Sequence, residues 1–323
     1  METKGPTVSV IISAHNRPAY LMEALKSLQG QTAPFDKFEV IVVKDYELDL
    51  SKIDVGKMAV TFIDTSDSYL VSKHIAGIKA SRGDYIALMD DDDLFSATKI
   101  ERILSLSQYM GRRSFYVNAK EFFTNKLEDF SVLSQTSSSS FEIFDNTRFN
   151  SRKLNRNIPW YNLSSMTIGT DLALEGAEVI RGFKREIDPL WYLIGLENAD
   201  KIVYDSSRLT FYRRHSGGVS RSDNKDKICN YAVQAIESYD EMLHIFRKNA
   251  TIETIRIMQA EWWIKASSLG CGVSNFNFVN TGITILKSAW NRSVKDITKL
   301  LLVFLLSRIS VKISVSIYPK FYR

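Results

Sequence analysis

The chain has 323 residues, 45% of them hydrophobic and 24% charged, with two cysteines and a formal net charge of +5. This is ordinary globular composition, enough for one large domain or two of roughly 150 residues each, and it excludes a disulfide framework. A basic nucleic-acid-binding body is excluded too, because five of the 42 Lys and Arg and none of the 37 Asp and Glu fall in residues 297–323, leaving the first 296 residues neutral. Cys229 and Cys271 read as reduced thiols of a cytosolic protein, or as one bridge at most.

The first third alternates strand and helix signals. Residues 7–13 (TVSVIIS) form a β-branched, nearly continuous apolar run, as expected of a parallel strand buried on both faces. It stops at AHNRP, where Pro18 suits a first helical turn and Asn16 is placed to cap it; Leu21, Ala24, Leu25 and Leu28 then mark one helical face. FEVIVV (38–43) and VTFI (60–63) are a second and a third strand, followed by a helix over 68–81 that places Val71, Ile75 and Ile78 on one side and Gly83 past its end. DYIALM (84–89) is a fourth strand, residues 96–110 a helix capped by Ser96, and SFYVNA (114–119) a fifth strand. This order argues a mostly parallel α/β sheet, and such sheets bind ligands beyond the carboxyl ends of their strands. SAHNR (13–17) and the aspartates 90–93 both lie at such ends.

The middle third is less regular, with a polar loop at 134–140 and aromatic segments at 160–169, 188–196 and 208–218. From Lys225 to about Arg292 the pattern is helical. The tail joins LLLVFLL (300–306) to an alternating ISVKISVSI (309–317) broken by Arg308 and Lys312. It fits either an interfacial anchor on an anionic leaflet or an element packed on its own domain. METKGPTVSV shows no signal-peptide pattern, and nothing before residue 297 approaches the ~18–20 apolar residues of a span. The expected location is therefore cytoplasmic, peripheral on the inner face of the membrane if the tail is an anchor.

ALMDDDDLF (87–95) carries the strongest chemical signal. Four adjacent carboxylates at a strand end can hold a hard divalent cation through oxygen, form a coupled acid–base pair, or sit in a solvated turn. In an extended segment Asp90 and Asp92 converge while Asp91 and Asp93 point away, and a cation relieves their repulsion.

With this motif, VSVIISAHNRPAYLMEALKSLQGQT, FEVIVVKD and GIKASRGDYIALMDDDDLF, in that order, resemble the family 2 glycosyltransferases of GT-A fold, well over residues 7–119 and loosely over 160–220. The resemblance implies a Rossmann-like, mostly parallel α/β domain, a nucleotide-sugar donor, and Mg²⁺ or Mn²⁺ bridging its diphosphate to a DxD-type motif. Asp90 and Asp92 take the two D positions, Asp92 as metal ligand and Asp90 toward ribose or metal, supported by Asp91 or Asp93. Ser13, His15 and Arg17 fall where the family holds base and ribose.

Two departures stand out. The family's second strand usually ends in two acidic residues, and here those positions are Lys44 and Asp45, so either Asp45 takes over or the base is read differently. Where the family commonly has Arg-Asn, this chain has SKHIAG, leaving Lys73 or His74 to supply positive charge near the phosphates. For the base that takes the acceptor proton the candidates are Asp188 and then Glu186, and Arg213 and His215 match a late region that contacts diphosphate or metal. Ser164 and Ser165 fit the acceptor-side segment; Trp160 and Trp191 either stack on a sugar or belong to the core.

The resulting organisation is a nucleotide-sugar-binding half at 1–119, an acceptor-binding half at 120–222, a helical C-terminal extension at 223–296 and a basic apolar tail at 297–323. The function expected is inverting sugar transfer to a glycan or lipid-linked acceptor, without nucleic acid as a partner. A nucleotidyltransferase is the enzymatic alternative, though it lacks a Gly-rich phosphate loop after the first strand, and a glycan-binding protein on a degenerate transferase fold is the other.

Overall fold

The computed structural model describes residues 5–124, 140–146, 162–214 and 224–271, which fall into two compact units: the first three stretches form one and residues 224–271 the other. In the first unit Val8–Ala14 (β1), Phe38–Lys44 (β2) and Tyr85–Asp90 (β4) are largely apolar runs buried on both faces, with Asp90 at the end of β4 slightly less so. With the edge strand Ala59–Asp64 (β3) they form a parallel array in the order β3-β2-β1-β4, in a register that sets Ser13 beside both Val43 and Asp90. Pro18–Gln29 (α1) begins with proline at its first turn and buries Leu21, Ala24, Leu25 and Leu28, as their spacing requires. Asn16 does not cap it: Arg17 holds the N-cap position without a capping bond from its side chain, and Asn16 adopts a left-handed φ of 48°.

Beyond β4 the sheet becomes mixed. Leu94–Phe95 (β5), Ser114–Phe123 (β6), Phe141–Asp145 (β7), Met166–Gly169 (β8) and Lys201–Arg213 (β9) complete it. β8 lies antiparallel between β4 and β6, β6 runs parallel to β9, and β5 and β7 add antiparallel to β9. Lys99–Leu106 (α3) starts three residues after Ser96, whose carbonyl accepts from Lys99 N, so Ser96 is not its N-cap. Thr170–Ile180 (α4) and Ile187–Asn198 (α5) come from the segment whose pattern was irregular. β5 matters most for the site. It leaves the aspartate turn and pairs with β9, so the turn is fixed at one end in the parallel array and at the other on the strand that ends in Arg213.

The carboxyl-end helix Leu70–Ala80 (α2) packs directly on β1 through Gly77, where a Cβ would lie 2.5 Å from Ile11 Cγ2. That closeness brings Lys73 on α2 to the end of β2, 3.0 Å from Asp45.

The second unit is a helical hairpin, Lys225–Ile245 (α6) and Asn249–Leu269 (α7). Asn224 caps α6 by accepting from Lys227 N, and Gly270 ends α7 at a φ of 69°. Ala232, Ile236 and Ala266 pack between the helices. Cys229 and Cys271 are placed as a disulfide across the hairpin, the one-bridge alternative of the sequence reading. No helix among the described residues is long and apolar enough to cross a membrane; the tail at 297–323 lies outside them.

Gly77→Ala should overpack the α2–β1 contact and cost about 1–3 kcal/mol. In urea the unfolding midpoint would fall with an unchanged slope, and an unmoved midpoint would show that Ile11 yields freely.

Candidate active site

The two ends of the parallel array differ in how their polar groups are satisfied. At the amino end, buried Glu39 accepts from Ser9 Oγ at 2.7 Å and from Arg82 N, Nε and Nη2, and Ser9 Oγ accepts in turn from Gly83 N. At the carboxyl end, Ser13 Oγ, Asp45 Oδ1 and Tyr46 OH are buried with no hydrogen-bond partner among the described residues. Buried polar groups are rarely left so, and their gathering at one edge marks where a ligand's polar groups fit.

Around these groups the chain assembles a charged pocket. His15 Nδ1 lies 2.5 Å from Asp45 Oδ2, which also meets Lys73 Nζ, and His15 N donates to Asp91 Oδ2 at 2.7 Å. Burial alone would raise the Asp45 pKa, but the hydrogen bonds from His15 and Lys73 outweigh it and hold the carboxylate below its ordinary value. Lys44 faces elsewhere, pairing with Asp64 and donating to the Tyr46 carbonyl. Of the two residues that end β2, Asp45 is the one in the pocket.

The aspartates divide. Carboxylate oxygens of Asp90, Asp92 and Asp93 come within 4.8 Å of one another. Asp91, wholly buried, turns instead to Arg17, whose Nη2 is 2.6 Å away while its Nη1 pairs with Asp92. The expected alternation is therefore corrected: Asp93 joins Asp90 and Asp92, because the chain turns at once, with Asp93 N donating to Asp90 O, and an extended period of two does not apply. Asp93 is held by Arg213 N at 2.9 Å and Asn162 Nδ2 at 3.1 Å.

Burial, then repulsion from Asp188 and the neighbouring aspartates, pushes the Asp90 pKa well up. Burial and Asp92 raise that of Asp93, burial and Glu186 that of Asp188, and burial against the pull of Arg17 lifts Asp91 to about 6. Three converging carboxylates are a hard-oxygen donor set, and a divalent cation such as Mg²⁺ or Mn²⁺ fits it.

Asp188 lies in the first turn of α5, close enough to raise Asp90, with Leu163 N donating to it. Glu186 is buried before the helix at a left-handed φ of 57°. Several expected residues take structural places instead. Arg213 does not reach out toward a ligand: its Nη2 donates to Glu23 at 2.7 Å and its Nε to the Asp92 carbonyl, and it is stacked over Tyr20 and Phe123, 4% exposed. Trp191 presents no ring face to an acceptor, being fully buried with Nε1 donating to His74 Nδ1 at 2.9 Å. His74 supplies no positive charge, since burial and then Lys73 lower its pKa to about 3. Ser165 is buried with Oγ donating to Asn162. Trp160 and His215 lie outside the described residues.

Sequence reading missed three groups. Tyr46 brings its hydroxyl beside Asp91 and Asp45, and burial followed by those charges raises its pKa to about 12. Lys99 is wholly buried under the turn, donating to the Ser164 carbonyl and to Thr210 Oγ1, while Ser164 Oγ accepts from Asp90 N. Lys120 sits near Asp93 and Asp188, its pKa lowered by burial to about 8. Tyr46 adjoins DxD-like chemistry only through the fold, and Lys99 has the helical position of an ordinary surface lysine, so neither carried a signal in the sequence.

Residues 9–165 match the family model described as glycosyl transferase family 2. The chain carries a family 2 glycosyltransferase domain. Over 109 residues it is 34% identical to the putative glycosyltransferase EpsH of Bacillus subtilis, covering 32% of this chain and 30% of that one. The chain spans about a third of the length of the curated relatives it matches first. Among solved structures, TarS from S. aureus in complex with UDP-GlcNAc is similar with a TM-score of 0.54 at 15% identity, over 97% of this chain and 92% of that one. Mannosyltransferase PcManGT from Pyrobaculum calidifontis, in complex with GDP-Man and Mn²⁺, gives 0.51 at 13% identity, over 96% and 84%. These likenesses establish the GT-A fold of the transferase domain.

The buried His74 generates a pH dependence. Folded His74 titrates near 3 and the unfolded residue near 6.5, so between these values the unfolded state binds more protons and stability falls as the pH drops. From pH 7 to pH 5 this contributes a loss of about 2 kcal/mol. Chemical denaturation at both pH values should show it, and His74→Gln, which keeps an acceptor for Trp191, should shrink the difference.

Proposed function

We propose that the chain is a metal-dependent, inverting glycosyltransferase that moves a sugar from a nucleoside-diphosphate sugar to a hydroxyl of a glycan or lipid-linked acceptor. The observation that carries this reading is the meeting of two features at one sheet edge: three carboxylates within 4.8 Å, and beside them a pocket of buried, unpartnered polar groups. The first suits a cation and the second a nucleoside.

In this reading Ser13, Asp45 and Tyr46 receive the nucleoside, with His15 and Lys73 orienting Asp45. Asp90, Asp92 and Asp93 would hold Mg²⁺ or Mn²⁺, which when bound neutralises charge on the departing diphosphate. Asp188 takes the proton of the acceptor hydroxyl as it attacks the anomeric carbon. Its raised pKa, caused by burial and Glu186, keeps it basic enough for this task, and Lys120 opposite lowers the cost of its ionisation. Arg213 serves by clamping the turn, joining the end of β9 to Glu23 of α1 and to the Asp92 carbonyl.

A donor of the UDP-sugar or GDP-sugar kind is supported by what TarS and PcManGT hold in their complexes. Location rests on opposing signs. The basic tail suits the cytoplasmic face of an anionic membrane, whereas disulfides such as Cys229–Cys271 persist in oxidising compartments. We favour the cytoplasmic face, where the bridge would be found reduced by alkylation of freshly lysed cells.

With a panel of nucleotide sugars and Mn²⁺, donor turnover should depend on the metal and fall at least about 100-fold in Asp92→Asn. Asp188→Asn should lower kcat by roughly 10²–10⁴ while nucleotide affinity stays near wild type. Turnover that survives both chelation and Asp92→Asn would overturn metal dependence, and full activity in Asp188→Asn would remove that residue from the base role.

A further inference from the structure

Two arginines grip the aspartate turn, and they differ. Arg213 is a fixed clamp: its side chain is 1% exposed and stacked between rings. Arg17 stands at the N-cap of α1, its side chain 33% exposed, with Nη1 on Asp92 and Nη2 2.6 Å from Asp91. Asp92 is also one of the three carboxylates that converge. A guanidinium and a divalent cation on one carboxylate compete for its oxygens and repel each other at close range. Arg213 cannot give way without exposing buried Glu23, whereas the Arg17 side chain is partly exposed and close enough to Tyr46 of the pocket to act on its hydroxyl.

We infer that Arg17 is an exchangeable counter-cation of the turn: it neutralises Asp91 and Asp92, yields Asp92 to the divalent cation, and is then free to meet the donor's diphosphate. It rests on the proposed metal-dependent reading. Arg17 is thereby a positioning residue that weakens metal binding in the absence of nucleotide and couples the two ligands. Because coupling is reciprocal, metal tightens diphosphate binding by the factor by which diphosphate tightens metal binding. Asp91 stays anchored by His15 N throughout, which keeps the turn in place as the arginine moves.

Mn²⁺ binding measured by the EPR signal of the free ion, alone and with UDP or GDP, tests this without any turnover. Arg17→Gln should bind Mn²⁺ alone on the order of tenfold more tightly than wild type and lose most of the enhancement by the diphosphate. Arg17→Lys, with a single ammonium that cannot span both aspartates, should fall between. Arg112→Gln, which removes the same charge from a half-exposed pair with Asp84 and Asp171, should match wild type. Mn²⁺ affinity unchanged or weakened in a folded Arg17→Gln, checked by circular dichroism, overturns the inference, and should that variant not fold, wild-type affinity in Arg17→Lys does so. If wild type binds Mn²⁺ in neither the presence nor the absence of nucleotide, the metal reading fails and this inference with it. Binding that ignores Arg17 sinks the inference alone.

Discussion

Four neighbouring carboxylates in one buried turn repel one another, and much of the surrounding structure is arranged to contain that repulsion. Asp91 is given to Arg17 and His15 N, Asp93 to Arg213 N and Asn162, and the backbone of Asp90 and Asp92 to Ser164 and Arg213. These partners come from the turn between β1 and α1, the end of β9 and the segment before β8, elements far apart in sequence that the sheet brings together. The short β5 completes the arrangement by tying the far side of the turn to β9. The antiparallel additions to the parallel array are therefore what hold the acids, and the array alone would leave them in a solvent-exposed loop.

Lys99 extends this containment below the turn. A wholly buried lysine costs several kcal/mol unless its donors are used, and here they meet the Ser164 carbonyl and Thr210. Burial lowers its pKa well below the ordinary value while Asp93 opposes that shift, so the lysine and the acid stabilise each other's charged forms across the turn. Ser164 links the two, accepting from Lys99 on its carbonyl and from Asp90 N on its hydroxyl. A packing residue of the segment before β8 thus fixes where the first aspartate begins.

What the sequence made legible was set by local periodicity. Fully buried apolar runs marked β1, β2 and β4, because a strand covered on both faces needs no alternation, and Pro18 and the leucines marked α1. The aspartates declared themselves by number and by place. Which of them converge did not follow, since the parity argument presumes extended backbone and the turn begins at Asp90. Arg213 looked ligand-facing from its resemblance to the family's late region and Trp191 stood open between sugar and core, and long-range packing against Glu23, Tyr20 and His74 decides both places. Asn16 had a capping side chain, but its left-handed backbone turns it from the helix end.

The substitution of lysine where the family carries its first acid has a consequence that the register explains. Lys44 pairs across to Asp64 at the end of β3, so it belongs to the edge of the array. Asp45, one residue on, is past the last ladder pair of β2 and is drawn toward β1 and α2 by His15 and Lys73. His15 Nδ1 and Lys73 Nζ then share one of its oxygens and leave Oδ1 unpartnered, next to the unpartnered hydroxyls of Ser13 and Tyr46. A pocket so equipped offers one carboxylate acceptor and two hydroxyls that can both donate and accept. Under the reading proposed, the nucleoside meets its carboxylate at the second of these two positions, while Lys44 at the first serves the edge of the sheet.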